Sequence, residues 1–144
     1  MSNDEANSWN QQIIDEFRAN AGSVAQFGGK ALVLLHHTGA KSGARYVSPL
    51  AGIPQADGGW VIVASNAGRD NHPAWYYNVQ ANPETEIEAP GDEDVRTVRV
   101  AARVAGDEER DRLFAEVVAL APQFGEYQKG TKRRIPIVVL EPVA

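Results

Sequence analysis

The sequence predicts an α+β fold in which a mainly antiparallel, barrel-like sheet carries peripheral helices. Apolar segments of strand length follow one another with only turns between them, which indicates consecutive hairpins. About six such strands can close into a small barrel. Strands and helices do not alternate along the chain, so a doubly wound parallel sheet is disfavoured.

The first half of the chain begins with a predicted amphipathic helix over Ser8–Asn20, where Trp9, Ile13 and Phe17 recur every four positions. Three strands are predicted next, the last of them apolar enough to be buried on both faces: Ala31–Thr38, Arg45–Ile53 and Trp60–Ser65. Pro49 places the second strand at an edge, a bulge or a bend, because proline lacks the amide hydrogen of a sheet ladder. The segment Gln55–Gly59 is a hairpin turn signal.

The second half begins with a polar loop and Pro73, which suits the first turn of a short helix through Ala81. Two strands are predicted after it, an exposed one at Glu84–Ala89 and an alternating one at Val98–Val104. Asp107 is predicted to cap a helix whose apolar stripe includes Leu113, Phe114, Val117, Val118 and Ala121. A short element at Gln123–Gly130 and a strand at Ile135–Glu141 complete the order.

Composition limits the function classes. With 144 residues and 43% hydrophobic content, one domain over residues 1–144 is expected. The net charge of −5 argues against a nucleic-acid partner. The absence of cysteine excludes disulfides, thiolate metal ligands and cysteine nucleophiles. The first residues are polar and acidic and no apolar stretch reaches about 20 residues, so a cytoplasmic location is expected.

The turn TGAKSG, residues 38–43, is a candidate anion site. Gly39 and Gly43 allow backbone amides to point into a common concavity, and Lys41 adds a positive charge with three donors. Such a turn suits a phosphate or a carboxylate. It is not a Walker A loop, because a strand rather than a helix follows it. The alternative is an ordinary hairpin turn with a solvated lysine.

A second candidate site is the loop and helix start over residues 64–78. Polar residues follow a buried strand there, and Trp75, Tyr76 and Tyr77 come directly after them. Three consecutive aromatic residues on a helix cannot all face one core, so at least one is expected at the surface or in a cleft. A planar heteroaromatic ligand would use such a face. The alternative is that Trp75 only anchors the helix.

The histidines do not predict a metal site. His36 and His37 are neighbours on a strand, so their side chains point to opposite faces and one is expected in the core. The basic cluster at residues 127–134 is either a charged helix end or a rim that attracts a polyanion. Tyr127 beside it is a candidate proton donor, because a phenol can donate a hydrogen bond to a developing oxyanion.

Four segments in this order resemble the deazaflavin (F420)-dependent nitroreductase and quinone reductase family: NQQIIDEFRANAG, LLHHTGAKSGARYVSPL, DGGWVIVASNAGRDNHPAWYYNVQANP and RRIPIVVLEP. The resemblance spans residues 10–142. It implies a split β-barrel, bound reduced F420, and hydride transfer to an electron-poor acceptor such as a quinone, a nitroaromatic or an activated enone.

The resemblance also implies a set of site residues. The turn is expected to hold the phosphodiester and acidic tail of the cofactor, the proline-containing strand and the ASxAG and PxWYxN segments are expected to line its ring, and Tyr127 is the candidate catalytic residue. The cofactor-binding residues expected on this basis are Lys41, Ser42, Gly43, Arg45, Tyr46, Val47, Ser48, Pro49, Leu50, Ala64, Ser65, Asn66, Gly68, Ala74, Trp75, Tyr76, Asn78 and Phe124.

The chain departs from the family pattern at three places. Asn66 stands where family members commonly have a basic residue, and Tyr46 stands where they have an arginine; Arg45 or Arg69 could supply that charge. Phe124 lacks the hydroxyl that a tyrosine would bring. We therefore expect cofactor binding to persist and the range of acceptors to shift.

Two other functions stay open at the level of sequence. One is an FMN-binding split-barrel oxidoreductase, since a phosphate in the turn fits either cofactor. The other is a non-catalytic carrier of the cofactor or of a lipid-like ligand. The sequence leaves open the physiological acceptor, the choice between monomer and homodimer, and a peripheral membrane contact through the apolar face of the first helix.

Overall fold

The computed structural model of the protein describes residues 3–25 and 32–143, and within them an antiparallel sheet closes into a barrel. The strands in chain order are β1 (Leu32–Thr38), β2 (Arg45–Pro54), β3 (Trp60–Val63), β4 (Glu84–Ala89), β5 (Arg96–Val104) and β6 (Ile137–Pro142). Their order around the barrel is β1-β2-β3-β6-β5-β4, which returns to β1. The predicted fold class is confirmed.

Four helices lie around the barrel in the described residues: α1 (Asn3–Ala19), α2 (Ala74–Ala81), α3 (Asp107–Leu120) and α4 (Gln123–Lys129). The first helix begins at Asn3, five residues before the predicted start at Ser8. No helix in this described part is both long and apolar enough to cross a membrane.

Some predicted boundaries are wrong for local reasons. Asp107 is the first residue of α3 and does not cap it, because Gly106 occupies the cap position without a side-chain bond. The third strand ends at Val63, two residues early, because a 3-10 turn at Asn66–Gly68 follows with Asn66 at a φ of 49°. β4 is only half exposed, since Ile87 is fully buried. Ala31, the predicted start of β1, lies outside the described residues.

Three apolar clusters hold the barrel and its helices together. Alternate residues of β1 divide between two of them: Val33 and Leu35 point into the barrel, whereas Leu32 and Leu34 pack under α1 with Phe17. The third cluster joins α3 and α4 to β3 and β6. Because side chains alternate along a strand, His37 lies on the same face of β1 as Val33 and Leu35, and His36 lies on the face of Leu32 and Leu34.

The first part of β2 is an open edge of the barrel. Its residues 45–51 pair with β1, whereas its pairing with β3 covers residues 52–54. Among the described strands, residues 45–51 therefore have a partner on one side only. Pro49 lies in this part, where a missing amide hydrogen leaves no gap in a second ladder. The open edge is where the clefts described next are found.

Candidate active site

The turn between β1 and β2 leaves two backbone amides available to a ligand. The amides of Gly39 and Gly43 bond within the turn, to Ala44 O at 2.8 Å and Gly39 O at 3.0 Å. The amides of Lys41 and Ser42 have no partner among the described residues. The glycines shape the turn, with Gly43 at a φ of 72°, and the residues between them offer the donors.

A cleft of about 590 Å³ opens beside this turn, and we call it the tail cleft. The ammonium-bearing side chain of Lys41 is exposed at its rim. The cleft is lined by His37, Gly39, Ala40, Lys41, Ser42, Tyr46, Ala74, Tyr77 and Asn78. The lining surface is mostly apolar, so Lys41 and the two unused amides are the groups that suit an anionic ligand.

A second cleft, of about 700 Å³, lies along the open edge of β2, and we call it the ring cleft. Its walls come from β2, from the loop after β3, from the start of α2 and from α4. It is lined by Trp9, Asn10, Ser48, Pro49, Leu50, Ala51, Val63, Ser65, Asn66, Arg69, Pro73, Trp75, Gln123, Phe124 and Tyr127. Aromatic walls with a few polar groups suit a planar heteroaromatic molecule.

A chain of hydrogen bonds joins the two clefts. His37 Nε2 lies 2.9 Å from Ser48 Oγ, and His37 Nδ1 lies 2.9 Å from Asn78 Nδ2. Tyr46 stacks on the imidazole with ring centroids 5.5 Å apart. Burial lowers the pKa of His37 to about 4, with a smaller contribution from the neighbouring His36. His37 is therefore neutral at pH 7.

Arg133 organises the loop that forms one wall of the ring cleft. Its guanidinium donates to the carbonyl oxygens of Ala64 at 3.1 Å, Ser65 at 2.8 Å and Arg69 at 2.9 Å. It also lies 2.9 Å from His72 Nδ1. One side chain thus satisfies three carbonyl groups of a loop that has no regular ladder. This part of the basic cluster is structural.

The rest of the ring-cleft wall is carried by α4. Phe124 and Tyr127 meet edge to face, with ring centroids 5.7 Å apart. A β-carbon on Gly68 would lie 3.2 Å from the Tyr127 ring, so glycine there allows Tyr127 to pack against the loop. Arg110, a buried residue of α3, donates to Gln128 Oε1 at 2.6 Å and to Ile135 O at 3.0 Å, which fixes the end of α4.

Thirteen of the predicted site residues line one of these clefts: Lys41, Ser42, Tyr46, Ala74 and Asn78 the tail cleft, and Ser48, Pro49, Leu50, Ser65, Asn66, Trp75, Phe124 and Tyr127 the ring cleft. Six others, Gly43, Arg45, Val47, Ala64, Gly68 and Tyr76, lie outside both linings. Tyr76 packs on His72 with centroids 4.7 Å apart, and its neighbour Tyr77 takes the cleft position.

Sequence reasoning missed several residues of the site. The alternation of side chains along β1 could have identified His37, because His37 shares a face with the buried Val33 and Leu35. Arg69 was considered only as a substitute charge, and it lines the ring cleft whereas Arg45 does not. Arg133 had no local signal, since its partners lie more than 60 positions away.

Comparison with known proteins identifies the family. The model of the F420H(2)-dependent quinone reductase family matches residues 9–142. The chain belongs to this family. An F420H(2)-dependent quinone reductase of Mycobacterium tuberculosis, Rv1261c, is 33% identical over 113 residues, which cover 75% of this chain and 71% of that protein. Rv3178 of the same organism, named provisionally in the same terms, is 38% identical over 76% of this chain and 88% of its own.

Solved structures agree with this assignment. The F420-H2 dependent reductase FDR-A is 35% identical, with a TM-score of 0.66 over 77% of this chain and 94% of that chain. A structure described as a domain-swapped dimer is 30% identical, with a TM-score of 0.68 over 94% of this chain and 99% of its own. The predicted family, fold, oxidoreductase class and cofactor are confirmed. The comparisons support F420 and not the FMN alternative.

The residues present fit the cofactor of the family. F420 joins a planar deazaflavin to a phosphodiester and an acidic tail, so its site needs an anion-binding region next to an aromatic cleft. The tail cleft offers Lys41 and two unused amides, and the ring cleft offers Trp75 and Phe124. The bond between His37 and Ser48 places the two regions side by side.

Proposed function

We propose that this quinone reductase transfers a hydride from reduced F420 to an electron-poor acceptor bound in the ring cleft, a quinone, a nitroaromatic or an activated enone. The observation that carries the proposal is the adjacency of the two clefts along the open edge of β2. An FMN ligand would need only one phosphate position, whereas the tail cleft extends from Ser42 to Tyr77 and has room for a longer anionic chain.

In this proposal the tail cleft binds the phosphodiester and the acidic tail. Lys41 supplies the charge, and the amides of Lys41 and Ser42 donate hydrogen bonds to anionic oxygens. Because Lys41 is exposed, its contribution depends on ionic strength. Arg69, which lines the ring cleft, is the basic residue that takes over the charge missing at Tyr46 and Asn66.

The ring cleft positions the reactants and excludes water. The deazaflavin supplies the hydride when bound, and the protein supplies position and electrostatics. Ser48, Pro49 and Leu50 border the ring from β2, and Trp75 of α2 contributes to the same cleft lining. Phe124, Tyr127 and Trp9 cover the acceptor side, where closure limits the access of water.

Tyr127 is the candidate proton donor. Reduction of a carbonyl or nitro acceptor leaves negative charge on an acceptor oxygen, and a phenol within the cleft can donate a proton to it. Tyr127 lies in the lining with its ring against Phe124. Phe124 has no hydroxyl, so it contributes shape alone, and solvent is the alternative source of the proton.

The direct test is an anaerobic assay of hydride transfer. Reduced F420 is mixed with the protein and with menadione, a nitroaromatic or an enone in turn, and reoxidation is followed by the absorbance of the oxidised deazaflavin. We expect enzyme-dependent oxidation with at least one acceptor and none when NADH replaces reduced F420. Absence of oxidation with every acceptor, while the cofactor binds, would leave the protein a carrier.

A peripheral membrane contact is a second, separate proposal. The apolar face of α1 is not available as a whole, because Ile13 and Phe17 are buried in the core, whereas Trp9, which lines the ring cleft, is 40% exposed. Tryptophan is favoured at the boundary between lipid and water, where quinones with long tails are available. Sedimentation with zwitterionic phosphatidylcholine vesicles tests this: we expect binding that Trp9→Ser weakens, and equal sedimentation of both proteins would remove the contact.

A further inference from the structure

The hydrogen bonds around Asn78 fix the direction of its amide. The backbone amide of Ala40, in the turn between β1 and β2, donates to Asn78 Oδ1 at 3.0 Å. The oxygen is therefore an acceptor, and the other end of the side chain, Nδ2, is the donor that meets His37 Nδ1 at 2.9 Å. A flipped amide would place its NH₂ group against the donor of Ala40.

The direction of Asn78 in turn fixes the tautomer of His37. Nδ1 accepts from Asn78 Nδ2, so it carries no proton. The single proton of a neutral imidazole is then on Nε2, which lies 2.9 Å from Ser48 Oγ and donates to it. Both ring nitrogens of His37 therefore have protein partners, and the ring is buried at 7% exposure with Tyr46 stacked on it.

The consequence falls on Ser48. A hydroxyl group has one proton and two lone pairs, and one lone pair is already used by His37 Nε2. Within the described residues, Ser48 Oγ has His37 Nε2 as its hydrogen-bond partner and its own proton has no acceptor there. Ser48 lines the ring cleft, whereas His37 and Asn78 line the tail cleft. The hydroxyl proton of Ser48 is therefore available to a molecule in the ring cleft.

We infer that His37 is a positioning residue that makes Ser48 a directed hydrogen-bond donor to a carbonyl-type oxygen of the molecule in the ring cleft. Carbonyl oxygens occur both on the deazaflavin ring and on quinone or enone acceptors, so the shared chemistry is an sp² oxygen. The inference rests on the proposed function, because it needs a carbonyl-bearing ring in that cleft. The hydrogen bonds run from Ala40 through Asn78 and His37 to Ser48, so they connect the turn at the tail cleft with the ring cleft.

The first measurement is nitrogen-15 NMR of the histidine side chains in the ligand-free protein at pH 7. We expect His37 to show an unprotonated Nδ1 and a protonated Nε2, with assignment by loss of the signals in His37→Gln. A protonated Nδ1 would overturn the inference whatever the ligand does. This measurement needs no cofactor, so it is independent of activity.

The second measurement compares three hydroxyl variants. Ser48→Ala removes the donor, Ser48→Thr keeps it, and Thr85→Val removes a hydroxyl that bonds to His36 O outside both clefts. We expect Ser48→Ala to weaken one binding constant about tenfold, the loss of one hydrogen bond, and the other two variants to stay within about twofold. A raised Kd for F420 assigns the oxygen to the cofactor, and a raised KM for the quinone assigns it to the acceptor.

The third measurement uses a variant that reverses the direction of the hydrogen bonds from Asn78 through His37 to Ser48. Asn78→Asp replaces the Nδ2 donor by an acceptor, so His37 protonates on Nδ1, its Nε2 accepts, and the Ser48 proton turns towards His37. We expect Asn78→Asp to weaken the binding constant that Ser48→Ala affects. The loss should be larger in the wild-type background than in the Ser48→Ala background, where only the added charge of the aspartate acts. Equal effects in the two backgrounds would overturn the inference.

Failure of the inference is distinct from failure of the proposed function. A wild-type protein that neither binds F420 nor oxidises its reduced form would remove both. A wild-type protein that binds and reacts, with Ser48→Ala unchanged in Kd and in KM, would remove the inference and leave the function in place.

Discussion

Arg133 and Ser65 are 68 positions apart in the chain, and a hydrogen bond of 2.8 Å joins the guanidinium of one to the carbonyl oxygen of the other. The same guanidinium holds the carbonyl groups of Ala64 and Arg69. The ring cleft therefore depends on a residue that enters from the far side of the loop, just before β6. Its contacts explain why an irregular loop can present Ser65 and Asn66 in fixed positions.

Replacement of Arg133 should damage both stability and cofactor binding. Lysine keeps the charge but cannot donate to three carbonyls at once, so Arg133→Lys is expected to lower the free energy of unfolding by about 1–3 kcal/mol. We also expect weaker binding of F420, measured by titration beside urea unfolding. Arg134→Lys is the matched control, because Arg134 pairs with Asp111 at the surface. Equal losses in the two variants would contradict this role.

Lys41→Ala should raise the Kd for F420 with little effect on folding. Lys41 is exposed at the rim of the tail cleft, so its removal leaves no cavity and no buried partner. Loss of one charge-assisted hydrogen bond corresponds to roughly a 10- to 100-fold rise in Kd at low salt, and the ratio should shrink as salt is added. Lys132→Ala, an exposed lysine outside both linings, serves as the control. An unchanged Kd would remove the turn from the site.

Tyr127→Phe separates proton donation from binding. The variant keeps the ring that packs against Phe124 and Gly68 and loses the hydroxyl. We expect a fall in the rate of acceptor reduction of about 100-fold, the usual size for one general acid, with the Kd for F420 changed by less than about threefold. Stopped-flow oxidation of reduced F420 measures the rate. A rate equal to that of the wild type would make solvent the proton source.

Stability should fall as the pH drops from about 6.5 towards 4. His37 has a pKa of about 4 in the folded protein and an ordinary one when unfolded, so the unfolded state binds the extra proton first. The expected loss is about 2 kcal/mol between pH 7 and pH 5. The pKa of His72 is also lowered, by burial and by Arg133, so His72 adds to the loss of stability as the pH falls.

Urea unfolding at pH 7 and pH 5 measures this dependence. His37→Gln keeps polar atoms at the position but cannot titrate, so its stability should change much less between the two pH values. The pKa of Glu88 is lowered by its hydrogen bonds with Arg18, and the stabilisation from that pair disappears only at lower pH. The same pH dependence in wild type and His37→Gln would show that other groups cause it.

The barrel was predictable because its determinants are local. Apolar runs, hairpin turns and alternation identify the strands, and Pro49 marks the part of β2 that has a neighbour on one side only. The tight turn between β1 and β2 was predictable for the same reason, since two glycines flank Lys41 there, and the binding of an anion by this turn stays a prediction.

The fine structure of the site was less predictable because it depends on distant contacts. The choice between Tyr76 and Tyr77 as the cleft residue depends on the angle at which α2 packs, and sequence spacing does not specify that angle. The roles of Arg133 and Arg110 depend on carbonyl groups that only the folded loop leaves unpaired. The partners of His37 come from α2 and β2, which the chain order does not place together.

The most direct test of the account is a tryptophan-fluorescence titration of the purified protein with F420 and, separately, with FMN. Trp75 and Trp9 both line the ring cleft, and Trp75→Phe identifies the signal of the first. We predict saturable quenching by F420 at concentrations where FMN has little effect, because FMN lacks the tail that reaches Lys41. Quenching by FMN alone, or by neither ligand, would contradict the assignment of the two clefts to a deazaflavin and its anionic tail.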